Sequence, residues 1–336
     1  MTYRIAINGF GRIGRLVARH LMAHEDFELV AVNDLTSPDM LGYLFAHDTV
    51  HGPWKGTVEV EGDTIVIDGH PVRVLAQRNP ADLPWTELGV QGVFEATGLF
   101  RERTKAAAHL DAGAKRVIIT APGKNVDATF VMGVNHTEYD PASHFIVSNA
   151  SCTTNCLAPL VKVLHETVGI AHGWLTTIHA YTNDQRILDV QHPSDMRRAR
   201  AAAANIIPTS TGAAKAIGLV YPVLEGKLHG AAMRVPVVDG SVCDLTFVAE
   251  RDGTVEELRE AFVAAAKGEL AGILKASDEP LVSSDIIGES HSSVVDLPLL
   301  TRVAPSFFRA VSWYDNENGY SMRCVDLLQY MLGREA

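Results

Sequence analysis

Apolar residues recur at two periods along the chain, and the change from one to the other outlines its elements. Tyr3-Arg-Ile-Ala-Ile7 and Leu29-Val-Ala-Val-Asn33 are short β-prone runs, and Arg15 to His24 between them has helical character. Val58-Glu-Val60, Thr64-Ile-Val-Ile67 and Pro71-Val-Arg-Val-Leu75 predict short added strands, with Asp68-Gly69 as a hairpin turn. Val93-Phe-Glu-Ala96 and Arg116-Val-Ile-Ile-Thr120 read as parallel core strands separated by an alanine-rich helix over 103–112. His144-Phe-Ile-Val147 then gives way to a helix in which Leu157, Leu160, Val161 and Leu164 fall at helical spacing.

Beyond that helix the spacing changes to longer strands over 170–179, 230–236, 241–249 and 306–314, with helices near 210–219 and 254–267 and a last one from Asn318 to Leu332. The alanine run 201–204 reads as helix rather than linker. The fold class expected is α/β: a Rossmann-type doubly wound domain over residues 1–150, followed by an α+β domain over 151–315 with a mixed or antiparallel sheet. The C-terminal helix, 316–336, returns to the first domain.

Gly9-Phe-Gly-Arg-Ile-Gly14 follows the first strand and opens the first helix. In that context Gly9 permits the tight turn, Gly11 lets the backbone approach a pyrophosphate and Gly14 lets helix and strand pack closely. Asp34 ends the second strand, where a carboxylate bonds both ribose hydroxyls and repels a 2′-phosphate. NAD is therefore expected over NADP. Thr97 and Thr120 fall at the C-terminal ends of two more strands, which is where dinucleotides lie.

Composition narrows the class further. A net charge of −11 over 336 residues argues against nucleic acid or an anionic membrane as partner through bulk electrostatics. No apolar run is long enough to span a bilayer and the N-terminus has no signal-peptide pattern, so the cytoplasm is expected. The cysteines at 152, 156, 243 and 324 do not make a disulfide framework. No Cys/His cluster completes a tetrahedral set around Cys152 and Cys156, so no metal is expected.

Cys152, in Ser148-Asn-Ala-Ser-Cys-Thr-Thr-Asn-Cys156, stands where strand gives way to helix. The unpaired N–H groups of a helix start favour a thiolate and bind oxyanions. A base is still needed, and His179, in the strand-like Leu175-Thr-Thr-Ile-His-Ala-Tyr-Thr182, is the candidate. Taken singly, isolated cysteines and histidines are more commonly inert core residues.

Five segments, Gly9 to Gly14, Ser148 to Cys156, His179 to Gln185, Thr209 to Lys215 and Trp313 to Tyr320, occur in an order that resembles the phosphorylating glyceraldehyde-3-phosphate dehydrogenases over nearly the whole chain. The resemblance implies Cys152 as nucleophile and His179 as its base. It implies NAD contacts at Arg12, Ile13, Asp34, Arg78, Thr120 and Asn316. Inorganic phosphate would be held by Ser151, Thr153, Thr211 and Gly212, and the phosphate of glyceraldehyde 3-phosphate by Thr182 and Arg234, with Arg197 as a further cation. A homotetramer is the family's assembly. An erythrose 4-phosphate dehydrogenase or a non-catalytic NAD-binding scaffold are the alternatives.

The chain departs from the family's usual pattern at Asn318, where an aromatic is common, and at Val190-Gln191. Loss of the aromatic is expected to loosen local packing, and the altered loop weakens, without removing, the expectation of a strict NAD preference. An intact catalytic set flanked by altered loops suggests an isoenzyme tolerant of electrophilic inhibitors, though neutral drift is the simpler account.

Overall fold

The computed structural model describes residues 2–335 and divides into two units. The first comprises residues 2–130, 136–150 and 321–335, and the second comprises Val131–Asn135 and Ser151–Tyr320.

The sheet of the first unit runs, in spatial order, Val58–Glu61, Thr64–Ile67, His70–Leu75, Phe27–Asn33, Tyr3–Asn8, Gly92–Glu95, Arg116–Ile119, Ile146–Ser148 and Ala128–Thr129. From His70–Leu75 onward all neighbours are parallel. Ile5, Ala6, Ile7, Val93, Phe94, Val117 and Ile118 are fully buried, as a sheet covered on both faces requires. Chain order reverses on either side of Tyr3–Asn8, which puts the switch point, and hence the ligand crevice, at Asn8 and Gly9. Asp68 and Gly69, both at positive φ, make the expected hairpin turn.

In the second unit the order is Ile207–Ser210, Leu228–Val235, His172–Ala180, Ser241–Val248, Phe307–Tyr314, Ser293–Asp296 and Leu274–Ser277, with Thr301–Ala304 also paired to Phe307–Tyr314. Two of its pairings are parallel and the rest antiparallel, so the sheet is mixed. The helices Cys152–Val168, Ala213–Val220 and Val255–Lys267 lie against this sheet. Residues of Ser241–Val248 alternate strictly between buried and half-buried, so its other face is only partly covered.

Several boundaries differ from the sequence reading. The alanine-rich helix breaks at Ala107 into Arg103–Ala106 and Ala108–Asp111. The run 201–204 forms only a 3₁₀ turn, Ala202–Ala204. The last helix, Asn318–Gly333, is shared: Ser321 onward belongs to the first unit, where Tyr3 donates to the Leu332 carbonyl (3.2 Å) and Gln329 to Asp26 (3.1 Å). Its first residues stay with the second unit because Asn318 Nδ2 donates to the carbonyls of Gly288 (3.0 Å) and Glu289 (3.2 Å). Those bonds also correct the expectation of looser packing: the amide fastens this turn to a neighbouring loop.

Candidate active site

Helix Cys152–Val168 opens on the candidate nucleophile. Ser151 is its N-cap, extended in backbone, with Oγ accepting from the Thr154 N–H (3.1 Å). Ala150, just before it, holds φ +56°, a left-handed conformation uncommon for a residue with a Cβ and a local strain at the approach to the helix. His179 lies in strand His172–Ala180, and its Nε2 is 3.5 Å from Cys152 Sγ.

Hydrogen bonding sets the tautomer. His179 Nδ1 is 2.7 Å from the Ala180 carbonyl, which can only accept, so Nδ1 carries the proton and Nε2 presents a lone pair to the thiol. Arg234 Nη1, 3.1 Å from the same nitrogen, donates instead to the Ala180 carbonyl (3.1 Å) and to Thr182 Oγ1 (3.0 Å). The Tyr314 ring meets His179 edge-on at 5.9 Å, and its hydroxyl pairs with Thr153 Oγ1 (2.8 Å) and Thr177 Oγ1 (2.9 Å).

Burial, which the sequence reading left out, opposes both ionised forms. It pushes the Cys152 thiol up to about 11, against the Arg234 guanidinium and hydrogen bonds from Thr153, which lower it. It pushes the His179 imidazolium down to about 3, and Arg234 adds to that effect. The helix start is thus one influence among several. Thiol and imidazole face each other as a neutral pair across which a proton can move.

Arg234 is poised for an anion. Its Nε is buried and has no hydrogen-bond partner among the described residues, an unmet donor beside the Cys152 and His179 pair. Thr182, which accepts from Arg234, donates in turn to Asp184, and Asp184 is paired with Arg198. Arg197 is exposed, and its backbone N–H donates to Asp195 (2.8 Å).

In the first unit three glycines divide two parts between them. A Cβ on Gly9 would lie 2.6 Å from the Thr97 nitrogen and one on Gly14 would lie 2.1 Å from the Gly9 carbonyl oxygen, whereas one on Gly11 would meet nothing within 4 Å. The first two are packing requirements, and the third leaves the backbone open to a ligand. A cavity of about 350 Å³ lies there, lined among others by Gly9, Gly11, Asp34, Arg78 and Thr97. Asp34 accepts from the N–H groups of Phe10 (2.9 Å) and Thr36 (3.1 Å). This lining suits the ribose and pyrophosphate of a dinucleotide: a carboxylate at the strand end beside an open glycine backbone.

A family model described as the NAD binding domain of glyceraldehyde 3-phosphate dehydrogenase matches residues 3–103, and one described as its C-terminal domain matches residues 151–316. The glyceraldehyde-3-phosphate dehydrogenase of Geobacillus stearothermophilus is 54% identical over 334 residues, 99% of each chain. That of Kitasatospora aureofaciens is 55% identical over 332 residues, 98% of this chain and 99% of its own. The chain belongs to the glyceraldehyde-3-phosphate dehydrogenase family. A third member, glyceraldehyde-3-phosphate dehydrogenase 1 of Bacillus subtilis, is 53% identical over 331 residues, 98% of each chain.

The remaining residues implicated by the resemblance to glyceraldehyde-3-phosphate dehydrogenases fall as follows. The Arg12 side chain is paired with Asp48 (2.5 Å), whose carboxyl, despite burial that would raise it, is held at about 2 by Arg12 and by the N–H groups of His51 and Val50. What Arg12 and Ile13 offer a phosphate is their backbone, at the N-terminus of helix Arg12–Met22. Thr120 is tied through N–H (3.0 Å) and hydroxyl (3.2 Å) to the Glu95 carbonyl and is absent from the cavity's lining. Asn316, in the second unit, accepts from Ser241 Oγ (2.6 Å), so its carboxamide nitrogen is the end left for a ligand. Thr211 and Gly212 line a different cavity, of about 1040 Å³, that includes neither Cys152 nor His179.

Sequence reading missed Tyr314, Ser241, Asp184 and Arg198. Tyr314 and Asp184 stood in two of the five segments, and the role of Tyr314 depends on a hydroxyl that bridges helix to strand, which no local pattern encodes.

Proposed function

We propose that the chain catalyses NAD-dependent oxidative phosphorylation of glyceraldehyde 3-phosphate, with Cys152 as nucleophile and His179 as acid and base. The single observation behind this reading is the 3.5 Å approach of Cys152 Sγ to the lone pair of His179 Nε2, beside the unmet donor of Arg234.

Transfer of the Cys152 proton to His179 Nε2 frees a thiolate to attack the aldehyde carbon, and the imidazolium returns that proton to the new alkoxide oxygen, giving a hemithioacetal. Arg234 and Thr182 hold the substrate's phosphate, and its negative charge relieves the burden that Arg234 places on a charged imidazole. When bound, NAD supplies the acceptor for the hydride that leaves the hemithioacetal carbon. Arg12, Ile13, Asp34, Arg78, Thr97, Thr120 and Asn316 are the residues that hold it. His179 takes the hydroxyl proton as the carbon is oxidised, leaving a thioester on Cys152. Inorganic phosphate, held by Ser151, Thr153, Thr211 and Gly212 with Arg197 nearby, attacks the thioester. The acyl phosphate departs and the thiolate is restored.

A homotetramer accounts for the half-covered sheet face and for exposed apolar side chains: Trp174, stacked on His229 at 5.2 Å, and Ile187, Leu188, Met196 and Ile206. Among the described residues no helix is long and apolar enough to cross a membrane, and the cytoplasm is the compartment proposed. Tolerance of bulky thiol-directed inhibitors is a refinement of this reading, and inactivation as fast as that of an ordinary relative would eliminate it.

The test is NADH formation from glyceraldehyde 3-phosphate, NAD and inorganic phosphate, in the native protein and in Cys152→Ser. Turnover that requires phosphate and disappears in the variant is expected. Turnover without phosphate would replace the phosphorolytic step by hydrolysis.

A further inference from the structure

Asn8, Asn33 and Glu95 are each the last residue of their strand, side by side in register at the switch point of the first sheet. All three are buried. Asn33 Nδ2 donates to Asn8 Oδ1 (2.7 Å), and Asn8 Nδ2 donates to Glu95 Oε2 (2.6 Å), making one polar rung across three strand ends. At one end Asn33 exchanges bonds with the Gln77 backbone (2.9 and 2.8 Å). At the other, Glu95 Oε1 accepts from the Thr97 N–H (2.9 Å) and from the Thr97 hydroxyl.

The rung has an anchor outside the crevice. His109, fully buried on the short helix Ala108–Asp111, places Nε2 3.0 Å from Glu95 Oε2, and Trp85 Nε1 lies 3.1 Å from its Nδ1. Indole N–H can only donate, so Nδ1 holds the lone pair and the imidazole proton points at Glu95. Each carboxylate oxygen then has two donors, which is what a buried carboxylate without a cation partner requires.

We propose that His109 is a positioning residue for dinucleotide binding, acting through Glu95. The rung leads to three parts of the crevice. The Gly9 N–H donates to the Asn33 carbonyl (2.8 Å), Asp34 follows Asn33 directly, and Thr97 hangs from Glu95. Because a Cβ on Gly9 would lie 2.6 Å from the Thr97 nitrogen, the glycine turn rests on that backbone without slack. Loss of the His109 donor leaves Glu95 short of a partner and free to pull Thr97, and with it the turn that faces the cofactor.

This inference rests on the NAD reading above, and the experiment separates the two. NADH affinity is titrated by fluorescence in the intact protein and in His109→Leu, His109→Gln and Trp85→Phe, with thermal midpoints recorded alongside. His109→Leu should raise the Kd by about ten-fold, the scale of one lost hydrogen bond to a buried charged group. His109→Gln, which retains an N–H donor, should recover most of it. Trp85→Phe, which keeps a ring but releases the tautomer, should weaken binding by roughly three-fold, and it carries the test if His109→Leu does not fold. A lower thermal midpoint with unchanged Kd in both Leu and Phe variants would make the cluster merely structural and overturn the proposal. Failure of the native protein to bind NADH would overturn this inference together with the reading beneath it.

Discussion

His179 Nε2 faces Cys152 Sγ at 3.5 Å with its lone pair forward, because the Ala180 carbonyl 2.7 Å behind the ring claims the proton on Nδ1. The strand that carries the histidine therefore fixes its tautomer before any substrate arrives. Burial disfavours the ionised form of each group alone, so the reactive thiolate depends on transfer within the pair.

Replacing His179 by Asn removes the base and leaves the thiol under the upward push of burial. Alkylation of Cys152 by iodoacetamide at neutral pH should slow by about ten-fold or more, and the rate should climb steeply into the alkaline range. Mass-spectrometric quantification of modified Cys152 against pH reads this directly. An unchanged neutral rate would remove His179 as activator.

The same burial makes His179 a source of acid sensitivity. Its folded pKa, about 3, is below the ordinary 6.5, so the folded state binds fewer protons. Its stabilising contribution is complete above the ordinary value and is lost as pH falls through 6.5 toward 3. Between pH 7 and pH 5 the native protein should lose about 2 kcal/mol more than His179→Asn. Urea unfolding of both proteins at the two pH values measures the difference, and parallel losses would refute it.

Arg234→Leu should act through the substrate's phosphate. The preference for glyceraldehyde 3-phosphate over unphosphorylated glyceraldehyde, as a ratio of kcat/KM, should fall by about a hundred-fold, since a charge-assisted pair is lost. A ratio that stays constant would mean that the phosphate is gripped elsewhere.

Asp34 sets the cofactor preference in this reading. Asp34→Ala removes the carboxylate that would meet a 2′-phosphate, and the NADP to NAD ratio of kcat/KM should rise by about ten-fold or more. The variant also loses the acceptor for the Phe10 N–H, so weaker NAD binding is expected alongside. No gain in relative NADP use would remove Asp34 as the determinant of selectivity.

Much of this organisation was readable from local pattern. The Gly9 to Gly14 fingerprint works within one turn of chain, and the start of helix Cys152–Val168 was signalled by the apolar spacing behind it, with Ser151 as its cap found only in the structure. Short elements were harder. The strands Leu274–Ser277 and Thr301–Ala304 exist because a neighbour supplies their hydrogen bonds, and neither run is long enough to declare a period. Asn318 misled for a related reason: reading only a missing aromatic overlooked two carbonyls, at Gly288 and Glu289, brought within reach by a different part of the chain.

By itself the sequence determined which groups are present and which short-range frames they occupy: the glycine turn, the cysteine at a helix start, the carboxylate at a strand end. Only the tertiary structure decided their state. The lone pair on His179, the upward push on the Cys152 thiol, the bare Nε of Arg234 and the His109 anchor under the crevice all depend on burial and on partners distant in sequence. Hydrogen bonds and desolvation act over a few ångströms of space, and distance along the chain does not record them.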